Sequence, residues 1–160
     1  MKRSIHDRVN SPGPKDPAFF YPKEYYIFDN FSSFQVKWKG TLWPTVEHAF
    51  QAAKFETTDS KIYNEIKNVK SADEARRIAV RNKDKRTANW NEIKVEIMKN
   101  IVRHKINQHP YVLKKLIQSG KRKIIEDSWR DSQWGWGEDK KGKNLMGKIW
   151  MELRKEYLKK

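Results

Sequence analysis

The chain contains no cysteine. That excludes disulfides, thiolate nucleophiles and cysteine-bound metals, and it fits a reducing compartment. Long apolar runs are missing too: none approaches the roughly 20 residues of a membrane-spanning helix. The N-terminus is charged and broken by Pro12, Pro14 and Pro17, unlike a secretory signal. A cytoplasmic protein with no membrane partner is the expectation. Nor is there a phosphate-cradling loop, a dinucleotide-binding glycine motif or a serine-nucleophile elbow, so classical nucleotide hydrolysis and triad chemistry drop out. His6, His48, His104 and His109 share no metal-ligand spacing. Neither a metal nor another cofactor is expected.

What the chain has in excess is positive charge. Thirty-five basic residues face 20 acidic ones, a formal charge of +15 over 160 residues. Such a balance favours polyanions, phosphorylated ligands or simple solubility. The lysines are dispersed (Lys114 and Lys115, Lys121 and Lys123, Lys140, Lys141 and Lys143), and a solvated helix face accounts for many of them. Seven tryptophans are the odder feature. Trp43, Trp90, Trp129, Trp134 and Trp136 stand beside polar or glycine-rich motifs, whereas Trp150 lies in a helical pattern. Core packing explains some of them, and an aromatic-walled pocket for a flat ring explains their neighbours.

Periodicity predicts an α+β fold, mostly helical, as a single domain with a small antiparallel strand component. Residues 1–17 read as an extended or disordered arm and 18–160 as the domain. Aromatics crowd residues 18–28 and predict short strands around Pro22. Residues 34–38 alternate apolar and polar, and Lys39-Gly40 turns them into 41–43 as a hairpin. Helices are predicted over 45–55 with Thr45 as cap, 59–68, 72–81 behind a Ser71-x-x-Glu74 capping box, 90–108 behind Asn89, and 111–117 after Pro110. Residues 123–126 read as a strand. Asn144 opens a last helix whose Leu145, Ile149, Met151, Leu153 and Leu158 are expected to face the body.

Three stretches could carry chemistry. Trp43-Pro44-Thr45-Val46-Glu47-His48-Ala49-Phe50-Gln51-Ala52-Ala53-Lys54-Phe55 places Glu47, Gln51 and Lys54 at i, i+4 and i+7, one stripe of a helix that is otherwise apolar. A solvated face produces such a stripe, and so does a site. His48, a quarter-turn from Glu47, reads as a core or supporting histidine. Residues 126–137 pack three acids, three indoles and two glycines into twelve positions after a predicted strand. They form either an exposed turn with the indoles folded back or a cleft loop. Gly142-Lys143-Asn144 precedes the last helix, as ordinary capping or as an anion site with free amides.

Taken together, these residues resemble the YbiA-like (NADAR) family. The likeness rests on 43–55, on Asn89-Trp90 with Lys94 and Met98, and on Gln108-His109. It continues through Glu126, Asp131, Trp134-Gly135 and Gly137, and Gly142-x-Asn144-x-x-Gly147 with Met151 and Arg154 behind. Phe20-Tyr21 and Phe31-Ser32-Ser33-Phe34 fit as well, so the resemblance spans about 19–158. The chain departs at Ser33, where the family usually has Asn, and at Thr87, where the family has an arginine and this chain carries Arg86 one step away.

The resemblance implies an N-glycosidase, a hydrolase cutting the bond between ribose and a base or amine, with the phosphoribosylamino-pyrimidine intermediates of riboflavin synthesis as one substrate class. Removal of ADP-ribose from guanine in DNA or RNA is the alternative, and a non-catalytic ADP-ribose-binding module a second one. The partner is then a small ribosyl phosphate or an ADP-ribosylated nucleic acid. Glu47 is expected as the sugar-side carboxylate that activates water, and Asp131 as the second acid, holding the ribose or protonating the leaving group. Trp90 and Trp134 are expected to sandwich the base, and Gln51 to bind substrate. Lys54 either binds phosphate or attacks a ring-opened ribose, with an ion pair to Glu47 favoured by their shared stripe. Lys143 and Asn144 are expected at the ribose phosphate.

Overall fold

Helix caps and turn residues set most of the boundaries in the computed structural model, which describes residues 17–20 and 25–160. The expected arm at 1–17 and the surroundings of Pro22 fall outside the described residues, apart from Pro17. The described residues form two compact units.

One unit is Asn30–Pro110. It opens with the hairpin β2 (Val36–Trp38) and β3 (Thr41–Trp43), paired antiparallel with Val36 opposite Trp43. Lys39 and Gly40 both take positive φ, 50° and 75°, the tight turn whose twist suits a two-residue hairpin. Four helices follow: α1 (Val46–Ala53), α2 (Ser60–Asn68), α3 (Ala72–Arg81) and α4 (Trp90–Gln108). Thr45 caps α1 by accepting from the His48 N–H, Asp59 caps α2, and both halves of the Ser71/Glu74 capping box form at α3. Asn89 does not cap α4 with its side chain; its Oδ1 accepts from Thr87 Oγ1 instead. Every residue of α1 is buried, because this helix packs against α2, α3, α4 and the hairpin. A helix so enclosed keeps a polar stripe only where neighbours satisfy it.

The other unit joins the described residues up to Asp29 with Tyr111–Lys160. Here β1 (Ala18–Phe20) pairs in parallel with β4 (Ile124–Glu126). Half of the strand component is thus parallel, not antiparallel as expected; strands over a hundred residues apart leave no local pairing signal. Helix α5 (Pro110–Gln118) ends at Ser119 and Gly120, the latter at φ +60°. Helix α6 (Leu145–Leu158) buries Met146, Gly147, Ile149, Trp150, Leu153 and Arg154. Leu158, expected to face the body, lies on the last turn and is 59 % exposed. Trp150 packs against Phe28, the rings 4.5 Å apart and tilted by 33°, and donates its indole N–H to the Phe28 carbonyl at 3.1 Å.

Each unit closes a strand edge with a side-chain amide. Gln108 accepts from the Lys37 N–H at 2.7 Å and donates to its carbonyl at 2.8 Å, on the edge of β2. Asn144 does the same for β4, donating to the Ile124 carbonyl at 2.9 Å and accepting from the Glu126 N–H at 3.0 Å. A primary amide carries the donor and acceptor of a peptide bond, so it can pair as one further strand residue and cover an edge.

Candidate active site

Within Asn30–Pro110 the structure assembles Glu47, Gln51, Lys54 and Trp90. Glu47 lies in the first turn of α1, where the helix dipole favours a carboxylate. Its own N–H is fixed by the Asn30 carbonyl at 3.1 Å. The residue is 6 % exposed, and its Oε1 accepts from Gln51 Nε2 at 2.6 Å. The carboxylate-to-amide contact one turn apart is what i,i+4 spacing provides. The solvated-face reading of the stripe therefore fails: two of its three polar residues are buried.

Lys54 caps the C-terminal end of α1. Its ammonium lies 5.6 Å from the Phe50 ring centre and 5.7 Å from that of Trp90. Burial pulls its pKa down to about 8; Glu47 opposes the shift, while Arg86, Lys94 and Lys83 add to it. The expected ion pair with Glu47 does not form: among the described residues no carboxylate lies within ion-pair reach of Lys54. The helix carries Glu47 and Lys54 two turns apart, and Gln51 between them takes the carboxylate. A lysine held between aromatic rings and other cations has the depressed pKa of a nucleophilic amine.

Trp90 is 2 % exposed and meets Phe50 at 5.1 Å, tilted by 53°. From the start of α4 it walls Lys54 and is as enclosed as Glu47 and Gln51. His48 is structural. The Val69 carbonyl, 3.0 Å from Nε2, can only accept, so that nitrogen carries the proton and Nδ1 accepts from the Thr45 hydroxyl at 2.9 Å. Burial lowers its pKa, against the pull of that carbonyl and Glu74.

The grouping of Lys83, Arg86 and Lys94 around Lys54 is what a reading of the chain misses. Residues 82–87 look like a charged loop, yet the Thr87 N–H donates to the Lys54 carbonyl at 2.9 Å and binds that segment to the end of α1. Arg86 is thereby close enough to influence Lys54, near where the family arginine is displaced by Thr87.

Asp131, Trp134, Lys143 and Asn144 belong to the other unit. Asp131 Oδ1 accepts from the N–H groups of Gln133 and Trp134, both at 2.8 Å, and so shapes the turn that carries Trp134. The amides expected to be free for an anion at the start of α6 are all engaged. Lys143, Asn144, Leu145 and Met146 donate to the carbonyls of Ser132, Gly135, Gln133 and Trp134. Asn144 also commits both ends of its side chain to β4. The phosphate role expected of Lys143 and Asn144 accordingly loses its amide cradle, and Lys143 retains only an exposed side chain.

A helix-framed carboxylate, an amide and a pKa-lowered lysine on one buried face define a site suited to acid–base and imine chemistry on a polar substrate. The NMR structure of the Escherichia coli protein YbiA is similar, with a TM-score of 0.82 at 34 % identity over 95 % of this chain and 90 % of that one. In sequence, the N-glycosidase YbiA of Escherichia coli K12 is 36 % identical over 83 % of this chain and 82 % of its own. An N-glycosidase of Nostoc punctiforme is 33 % identical over 86 % and 90 % respectively. A Vibrio vulnificus riboflavin biosynthesis protein is 33 % identical over 92 % of this chain and 40 % of its own length. The NADAR domain profile matches residues 19–158, and the chain belongs to that family.

Proposed function

We propose that this chain is an N-glycosidase that hydrolyses a phosphoribosylamino-pyrimidine, separating ribose 5-phosphate from the amine. The observation that carries the reading is the buried stripe of α1, where Glu47 and a lysine amine with a pKa near 8 share one helix face. The N-glycosidase names of the Escherichia coli and Nostoc relatives support the bond type, and the name of the Vibrio relative supports the substrate class.

Cleavage puts positive charge on the sugar and negative charge on the departing nitrogen. Glu47 stabilises the first. With the sugar ring open, C1 is joined to the glycosyl nitrogen as an iminium. The neutral Lys54 amine adds to C1, one of its protons passes to that nitrogen, and the C1–N bond breaks to leave the free amine and a Lys54 iminium. Water then hydrolyses the imine, freeing the lysine and ribose 5-phosphate. At a pKa of about 8, roughly a tenth of the amine is neutral at pH 7. Lys83, Arg86 and Lys94 surround the amine with positive charge that suits the substrate phosphate. A second reading, release of ADP-ribose from guanine in nucleic acid, is favoured by the +15 charge.

The test is borohydride reduction during turnover of the phosphoribosylamino-pyrimidine, followed by mass mapping. A reduced ribosyl adduct on Lys54, absent from Lys54→Arg, is expected. Turnover without an adduct retires the amine step and leaves a water activated by Glu47. Glu47→Gln should lower turnover about 10²–10⁴-fold with binding little changed, and retained turnover would remove Glu47 from the chemistry.

A further inference from the structure

Gln51 has one end of its amide unexplained. It is 5 % exposed, and Nε2 donates to Glu47 Oε1 at 2.6 Å. That contact fixes the amide orientation, because an ionised carboxylate only accepts. Oε1 must then point away from Glu47, and among the described residues nothing donates to it. A buried carbonyl oxygen without a donor is rare in folded proteins and destabilising. Retaining one beside a carboxylate makes sense when the substrate brings the missing hydrogen.

The reach of the amide says which hydrogen. From Glu47 Oε1 across the amide to a donor on Gln51 Oε1 is at most about 7 Å. A group attacking or stabilising C1 of a sugar and a group reading a hydroxyl of the same sugar stand about that far apart. An amine or ring N–H on the far side of the leaving base would lie beyond it. We infer that Gln51 determines sugar specificity: its nitrogen orients Glu47, its oxygen accepts a hydrogen bond from the ribose 2-hydroxyl, and the site selects ribosyl over 2-deoxyribosyl substrates. This rests on the N-glycosidase reading for the placement of the sugar. The 2-hydroxyl is borne by the carbon next to C1, so its hydrogen bond positions the reacting carbon and the discrimination falls on kcat as well as on KM. A site built around a substrate hydroxyl rejects the analogue without it because its own polar group stays unpaired.

The experiment compares the phosphoribosylamino-pyrimidine with its 2-deoxyribosyl counterpart on wild type, Gln51→Met and Gln51→Glu. Wild type should prefer the ribosyl form by about 10²-fold or more in kcat/KM. In Gln51→Met both rates fall, since Glu47 loses its orienting donor, and the preference shrinks below about tenfold. In Gln51→Glu the acceptor persists and so does the preference, while the pH profile moves because two facing carboxyls must share a proton. Equal loss on both substrates with an unchanged ratio would reduce Gln51 to a support for Glu47 and overturn the inference. Calorimetric titration with ribose 5-phosphate and 2-deoxyribose 5-phosphate separates the two readings. Discriminating binding without turnover sinks the N-glycosidase reading and keeps the role of Gln51. Equal binding of both sugars, or of neither, together with no preference in turnover, sinks the role of Gln51.

Discussion

At Lys54 the direction of the pKa shift decides which pH limb the activity follows. On the proposed imine route the neutral amine is the attacking form, so base release should rise with pH to a plateau, with a midpoint near 8. Arg86 is one of the cations holding that value down. Arg86→Gln should move the midpoint upward and lower the rate at pH 7 roughly two- to fivefold, with the plateau rate retained. A pH–rate profile that ignores this change would detach Lys54 from the rising limb. His48 responds in the opposite region of the scale. Its folded pKa lies below the ordinary 6.5, so as pH falls through 6.5 the unfolded chain takes up the proton first. Its contribution to stability is therefore present above that value and is lost as pH falls through the lowered folded pKa. Thermal melts should show a lower midpoint at pH 5.5 than at 7.5. His48→Gln should flatten part of that difference while removing about 1–3 kcal/mol through the lost contacts with Thr45 and Val69; an unchanged pH dependence would assign the drop to other groups.

Between elements, the two amide pairings set up a comparison of one motif in two surroundings. Asn144 is buried and its bond to the Ile124 carbonyl is enclosed, whereas the Gln108 pairing with Lys37 is exposed. Asn144→Leu should cost about 2–4 kcal/mol, since two backbone groups lose partners where water is scarce; Gln108→Ala should cost less than about 1 kcal/mol, because Lys37 can bond to solvent. Chemical denaturation of both variants measures the contrast, and equal losses would show that burial is not what sets the cost. Gly147 belongs to the same device: a Cβ there would run into the Ile124 carbonyl and the Asn144 amide, so that α6 approaches β4 only with glycine at this position. Gly147→Ala should destabilise by about 3 kcal/mol, the upper end of ordinary overpacking. Caps and the hairpin turn were legible because their signals are local: Thr45, Asp59, Ser71 with Glu74, and Lys39-Gly40 each act within a few residues. The amide pairings were not, because Asn144 before a helix looks like a cap and nothing local reveals that its partner is a strand 20 residues upstream.

At the scale of the molecule, the site was legible as far as helical spacing reaches. Glu47, Gln51 and Lys54 could be placed on one stripe from their numbers alone, but the burial of Glu47 and Gln51 and the lowered pKa of Lys54 depend on packing against other elements. Trp90 illustrates the limit, since a tryptophan beside a polar motif fits a stacking wall or the core, and only packing separates the two. The charge of +15 bears on the remaining choice of substrate. A small ribosyl phosphate meets only the cations near its own phosphate, so counterion release is slight and kcat/KM should fall only about two- to fivefold between 50 and 200 mM salt. An ADP-ribosylated oligonucleotide that engages dispersed lysines through six or more phosphates would lose about 10³-fold or more over the same range. The stripe on α1 is a compact site whose cations cluster at Lys54, and the other lysines are spread along the chain without a continuous basic motif. The shallow dependence is therefore expected for the physiological substrate, with the phosphoribosylamino-pyrimidine turned over faster than the modified oligonucleotide at 150 mM salt. Measuring base release from both substrates across that range decides it: a steep loss, with the oligonucleotide preferred at physiological salt, would move the assignment to nucleic acid and give the excess charge a direct role in binding.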